Sequence, residues 1–386
     1  MNFKSFFSAT LLLLTATILS AQGISFEKGS WDEVVKKAKA ENKFIFVDAY
    51  AEWCGPCKKM AKEVFTENSV GSYFNKNFVC YKFDMEKGEG PKFAKTYKVA
   101  AYPTLLFFNP AGELIHKAVG GRDSETFVTL GEDAMNPEKQ VYTMKKKFEA
   151  GEKSQEFLSS YINALLNASE DAGDVAELYF NSISKEDWTS MDNFMLIYRT
   201  QASLDSKIFN HVLANKAAFE KSIGKEYVEM FIGQVYNQEI AKVSEEKDQV
   251  AADELKLNMK KNLGTNAESM IAYLDLNFNM GTDNELKFAN VYFEKYCEDA
   301  AMLNTFAWYY FENETDKTKL KAALKWIDKS IKLDKNWQSL DTRANLHYVL
   351  GNKKAALADA KEAVKMANEI GDDASETEAL IKKIKK

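Results

Sequence analysis

Two cysteines separated by two residues, in Trp53-Cys54-Gly55-Pro56-Cys57, are the residues of this chain whose type and spacing carry chemistry. Thiols so spaced at the start of a helix can close a small disulfide ring and open it again. The partial positive charge of a helix N-terminus favours the thiolate, the nucleophilic form, at the first of them. Cys54 stands nearer that terminus and nearer solvent, so it is the expected attacking thiolate. Cys57, one turn inward, would then attack the mixed disulfide formed at Cys54. Trp53 would cover the thiols and offer an apolar docking surface. A zinc site would need two more ligands at a fitting spacing. The histidines are His116, His211 and His347 and there is no second cysteine pair, so neither a metal nor a cofactor is expected.

The elements that must hold this pair follow from the apolar pattern. Phe44-Tyr50, with Asp48 as its single carboxylate, reads as a strand covered on both faces. A helical pattern runs from Lys58 to Tyr73 and presents Met60, Ala61, Val64 and Phe65. Further strands are expected at Ile24–Phe26, Phe78–Phe83, Thr104–Phe108 and Glu113–Val119, the last two joined by the turn Asn109-Pro110-Ala111-Gly112. Ser30 or Asp32 can cap a helix carrying Trp31, Val34, Val35 and Ala38. Asp84–Pro91 reads as a polar loop, Phe93–Tyr97 as a short helix, and Ser124–Leu130 as the opening of another. Cys80 and Cys297 have no close partner and read as small buried hydrophobes.

Composition changes sharply after this region. All five prolines fall at or before Pro137, and none occurs in the 249 residues beyond it. Proline lacks the amide proton and clashes with the preceding turn, so its absence from a stretch rich in Ala, Leu, Lys and Glu predicts an all-helical region. Near its end Ala323 and Ala356, and Ser330 and Ala363, are each 33 residues apart. They sit in helices expected over Leu320–Leu333 and Lys354–Ala367, each preceded by another, over Leu303–Glu312 and Leu340–Leu350. This pattern resembles the tetratricopeptide repeat, with a loop insertion at Asn313–Lys317 and Lys335 where a proline is usual. Two repeats cannot bury their faces alone, so the helices before them would extend the stack and Ser375–Lys385 would cap it.

Met1–Ala21 has one lysine, an apolar core and a small-residue end, the order of a secretory signal peptide. The expected division is therefore residues 1–21 as signal peptide, 22–137 as an α/β domain, 138–300 as a helical domain that can be read as degenerate repeats, and 301–386 as repeat-like helices with a capping helix. Gln22–Pro137 holds 16 basic and 16 acidic residues, so the net charge of −6 comes from the helical part. That balance speaks against nucleic acid as a partner. No stretch after the leader is long and apolar enough for a bilayer, so an exported, periplasmic or extracellular protein without stable membrane insertion is expected.

Taken with its flanks, the first domain resembles thioredoxin. The resemblance runs along Phe46-Val47-Asp48-Ala49-Tyr50-Ala51-Glu52-Trp53-Cys54-Gly55-Pro56-Cys57-Lys58 and resumes at Tyr102-Pro103-Thr104-Leu105-Leu106-Phe107-Phe108, Gly112 and Gly120. It implies a thioredoxin-like α/β fold, a central mixed sheet flanked by helices, ahead of the all-α helical-repeat domain. It also implies a redox disulfide between Cys54 and Cys57. Asp48 matches the family's buried acid, with its pKa raised toward working pH to serve Cys57. Pro103 matches the family's cis-proline and, with Tyr102 and Trp53, would hold substrate. Two departures stand out. Lys62 occupies the place of a helix-kinking proline, which predicts a straighter active-site helix, and Cys80 falls about where a lysine usually accompanies the buried acid. The implied activity is thiol–disulfide exchange on protein disulfides, in the reducing or isomerising direction, with a membrane thiol relay as electron donor. The helical part would recruit a protein or peptide partner. The competing reading is a cell-envelope binding scaffold in which the α/β domain only docks.

Overall fold

In the computed structural model, which describes residues 23–200 and 202–386, the apolar run after Lys43 becomes the middle strand of a five-stranded sheet. The strands are β1 (Phe26–Glu27), β2 (Phe44–Tyr50), β3 (Phe78–Asp84), β4 (Thr104–Phe108) and β5 (Leu114–Val119), in the order β1-β3-β2-β4-β5. β1, β3 and β2 run parallel, while β4 is antiparallel to both β2 and β5. Five helices cover the sheet: α1 (Trp31–Glu41), α2 (Gly55–Glu63), α3 (Asn68–Asn77), α4 (Gly90–Thr96) and α5 (Ser124–Met135). Alternation along the strands divides the core in two. Phe46, Cys80 and Phe107 pack with Met60 of α2, Phe74 of α3 and Phe127 of α5. Val47, Tyr81 and Phe108 pack with Val34 of α1 and Phe93 of α4 on the other face. With β2 buried on both sides, only a nearly unbroken apolar sequence fits there. Ser30 is the cap of α1, in a capping box with Glu33.

The expectation of a straighter active-site helix is not met. α2 stops at Glu63, and α3 begins only at Asn68. The amides of Val64 and Phe65 both bond the Met60 carbonyl, at 2.9 Å, and the Thr66 hydroxyl caps the Lys62 carbonyl at 2.7 Å. The Phe65 carbonyl is taken by the Ile24 amide at 2.7 Å. Gly23 makes this approach possible, because a Cβ there would stand 2.2 Å from that same carbonyl oxygen. Where a proline would break the helix, the chain here turns at Val64 and bonds the N-terminal segment.

After α5 the described chain is helical throughout, in fifteen α-helices. They are α6 (Val141–Glu149), α7 (Gln155–Asn167), α8 (Gly173–Ser182), α9 (Met191–Arg199), α10 (Lys207–Ala214), α11 (Lys216–Ile223), α12 (Lys225–Glu246) and α13 (Gln249–Asn262). Then come α14 (Ala267–Asn279), α15 (Glu285–Lys295), α16 (Ala300–Asn313), α17 (Lys317–Leu333), α18 (Trp337–Val349), α19 (Lys353–Ile370) and α20 (Ser375–Lys385). Compactness divides the chain into a unit that runs to Ala202 and takes in Ala217–Gly224, and a second made of Ser203–Lys216 and Lys225–Lys386. In the first, α6 and α7 close over β5, the edge strand of the sheet. In the second, each helix from α16 packs on the next, and α16 also meets α18 while α18 meets α20. Ala323, Ser330, Ala356 and Ala363 are fully buried where these helices cross, as their 33-residue spacing predicts. The leader expected over residues 1–21 lies outside the described residues. Among the described residues no helix is long and apolar enough to cross a membrane.

Candidate active site

β2 delivers the chain to the cysteines in one tight turn. The Cys54 amide bonds the Ala51 carbonyl at 3.1 Å, and Cys54 takes an extended conformation as the N-cap of α2. Its Sγ accepts the Cys57 amide at 3.1 Å. A sulfur thus occupies the capping position that a serine or aspartate oxygen usually fills, among the unpaired N–H groups of the first turn. Pro56 fits that turn because the N–H it lacks would have had no helical partner. Cys54 and Cys57 are joined as a disulfide with a Cα–Cα distance of 5.3 Å. Each exposes only 2% of its surface, so accessibility does not single out Cys54 as the sequence suggested. What distinguishes it is the capping position; Cys57 lies inside the helix.

Asp48 sits within β2, two residues before its end, paired in register with Lys82 of β3 and Leu105 of β4. Alternation places it on the sheet face that α2 covers, and it is 1% exposed. Neither carboxylate oxygen has a hydrogen-bond partner. The Lys82 ammonium stands 3.7 Å from Oδ2 and 4.7 Å from the centre of the Tyr50 ring. Burial dominates: it pushes the Asp48 carboxyl up to about 6, against a smaller opposing pull from Lys82. The lysine that accompanies the acid is therefore Lys82, and the assignment of its place to Cys80 is corrected. Cys80 pairs with Phe46 instead and lies in the apolar core, where burial raises its thiol pKa far above the ordinary range.

The rim above the disulfide comes from three loops. Tyr50 and Tyr102 pack against Ala51, Cys54 and Cys57. The Tyr102–Pro103 peptide bond is cis. Gly120, at φ +94°, donates its amide to the Pro103 carbonyl at 2.8 Å, and the Thr104 hydroxyl holds the Ala101 carbonyl at 2.7 Å. Next to it, a Cβ on Gly121 would stand 3.8 Å from the Pro56 and Met60 side chains, so the β5–α5 loop passes close to the first turns of α2. Trp53 is 68% exposed, meets Tyr102 edge-on at 5.8 Å, and donates its indole N–H to Glu86 at 2.9 Å. The structure thus sets Tyr102 against the Cys54–Cys57 turn and Trp53 against Tyr102, with the cis Pro103 next in the chain. Sequence reasoning missed Tyr50, Lys82 and Glu86; the strand register Asp48–Lys82 was the signal that could have found the second.

A cleft of about 590 Å³ flanks α2, with Pro56, Met60, Gly121 and Arg122 in its walls. Cys297 is a free, buried thiol. Among the described residues no three His, Cys, Asp or Glu side chains come together as a metal site.

Residues 31–135 match the family model described as a thioredoxin-like domain. Thioredoxin H4 of Arabidopsis thaliana is 35% identical over 95 residues, which are 25% of this chain and 75% of that protein. A protein disulfide-isomerase of Datisca glomerata is 28% identical over 105 residues, 27% of this chain but 20% of that protein. The chain thus spans about a fifth of the length of the plant disulfide-isomerases it matches. A solved structure titled as a putative disulphide-isomerase from Bacteroides thetaiotaomicron is 44% identical, covering 30% of this chain and 97% of that one, with a TM-score of 0.29. Through the domain that holds Cys54 and Cys57, the chain belongs to the thioredoxin family.

Proposed function

We propose that this protein is an exported thiol–disulfide oxidoreductase that reduces or isomerises disulfides in other proteins. The observation that carries the reading is the pairing of a disulfide at a helix N-cap with a buried carboxylate that accepts no hydrogen bond, on the sheet face beneath that helix. In the reduced state the Cys54 thiolate attacks one sulfur of a substrate disulfide. That S–S bond breaks, its electron pair leaves with the second substrate sulfur, and a mixed disulfide joins Cys54 to the first. Cys57 then loses its proton to Asp48 and attacks Cys54. The substrate leaves as a dithiol after protonation, and the Cys54–Cys57 disulfide remains. A carboxyl poised near 6 can take that proton and release it near neutral pH. Trp53, Tyr102 and the cis-Pro103 segment would hold the substrate chain against the disulfide.

Each cycle consumes two electrons, so an exported reductant needs a donor; a membrane dithiol relay fits the expected compartment. The helical region, read as tetratricopeptide-like repeats, would bring the substrate or a partner to the site. The test is reduction of insulin disulfides by the purified full chain and by Cys54→Ser. Wild type should turn over, and the variant should fall to the uncatalysed rate. Equal rates would overturn the reading.

A further inference from the structure

Within the second unit, α16, α18 and the start of α20 line an open cavity of about 320 Å³. Its walls carry Asn304 and Trp308 from α16, Trp337 and Asp341 from α18, and Asp373 and Glu376 at the entry to α20; no lysine or arginine lines it. The arrangement is built rather than incidental. Trp337 is pinned by its indole N–H to Asp372 at 2.8 Å. Asp341 is oriented by the Thr377 hydroxyl at 2.7 Å and by the Asn345 amide at 3.2 Å. Burial nevertheless keeps its carboxyl above the usual range, since no cation stands beside it to offset desolvation. The Asn304 side-chain oxygen is buried and has no hydrogen-bond partner.

The walls carry acceptors and no cation, with two indole rings among them. The Asn304 amide oxygen is unpaired; Asp341 and Asp373 already accept hydrogen bonds from Thr377, Asn345 and Ser375 but keep their charge, and Glu376 adds a third carboxylate. A guest must therefore donate hydrogen bonds, carry positive charge and present a flat or apolar surface to tryptophan. Guanidinium meets all three demands, with five N–H donors, a fixed charge and a planar face that stacks on indole. An ammonium supplies fewer donors and no planar face. The cavity is larger than one side chain, and Gln338 lines it as well, offering an amide to flanking peptide groups. We propose that this cavity binds an arginine side chain presented by a partner polypeptide, so that the helical region selects its partner by a basic residue. This names the chemistry of the partner recruited under the proposed function but does not depend on the thiols.

The experiment titrates the full chain with the peptide acetyl-Gly-Gly-Arg-Gly-Gly-amide while following the tryptophan indole N–H resonances. The same peptide with lysine or with glutamine, and free arginine amide, serve as parallel probes. The arginine peptide should saturate and shift the Trp308 and Trp337 signals. The lysine peptide should bind more weakly, and the glutamine peptide should not saturate. Asp341→Asn and Trp308→Ala should each weaken binding by about tenfold, the scale of a lost charge-assisted or cation–π contact in a partly desolvated site. Glu376→Gln, at an exposed helix start where folding is not at stake, should weaken it by about threefold and reduce its salt dependence. Absence of saturation, equal binding of the glutamine peptide, or wild-type affinity in Glu376→Gln and Trp308→Ala together would overturn the proposal. Free arginine amide binding as tightly as the peptide would overturn the polypeptide occupant. The readout is binding rather than thiol turnover, so failure here leaves the redox reading untouched.

Discussion

Asp48 and Lys117 belong to the same sheet and expose 1% and 3% of their surface, yet they keep opposite company. Lys117 on β5 donates to Glu170 at 2.9 Å and to the Lys98 carbonyl at 3.3 Å, and Glu170 also accepts the Tyr142 hydroxyl at 3.2 Å. Beside it, His116 accepts the Val141 amide at 3.2 Å. These bonds fasten the edge strand to α6 and to the loop after α7. Asp48 has no hydrogen bond at all, and its nearest cation is 3.7 Å away. A buried charge with its bonds made acts as a fastener. One left unmade costs stability and survives where the proton itself is used.

That contrast can be broken at Lys117 with the largest effect on stability. Lys117→Met leaves the Glu170 carboxylate with the Tyr142 hydroxyl but without its cation in a partly buried site. Unfolding in urea should show a loss of about 3 kcal/mol, the usual scale for removing one partner of a buried ion pair. Insulin reduction by the folded fraction should be unchanged. The effect at Asp48 has the opposite sign. Its carboxyl holds a proton in the folded chain up to about 6 but loses it from about 3.8 in the unfolded chain. Stability therefore falls as pH rises through that window and stays lower above it. Asp48→Asn should raise stability at pH 8 by up to about 3 kcal/mol, since a pKa unit is worth about 1.4 kcal/mol, and should do nothing at pH 3. Turnover should fall, with its rise near pH 6 abolished; equal stability at both pH values would contradict the account. His116 opposes this trend in the wild type. Burial lowers its pKa to about 4, so its share of stability grows from pH 4 to 6.5 and is lost in acid.

The smallest effect is expected at Lys82. Lys82→Met removes the one charge that draws the Asp48 pKa down, so the pH profile of turnover should move upward by less than about one unit. A downward move would show that the ammonium does not face the carboxylate in solution.

The sheet and the thiol turn were legible because they are local. β2 and β4 lie over the residues that the apolar runs marked, and the Gly-Pro spacer fits the first turn of α2. The break at Val64 was not, because the bond that goes with it, from the Ile24 amide to the Phe65 carbonyl, comes from a distant part of the sequence. Lys82 was misplaced by two positions. Cys80 and Lys82 point to the same face of β3, and only the pairing across the sheet decides which one meets Asp48. The fastening at His116 and Lys117 also escaped a reading by pattern. A lysine on an edge strand ordinarily faces water, and nothing nearby in sequence announces the Glu170 that covers it.

The central claim is that Cys54 and Cys57 form a working couple poised to give electrons to protein disulfides. The equilibrium reduction potential of the full chain, read against a dithiol buffer at pH 7, tests it most directly. The account predicts a value between about −270 mV, as in thioredoxin, and about −180 mV, as in protein disulfide isomerase. A value near −120 mV, that of a strong oxidant, would contradict it.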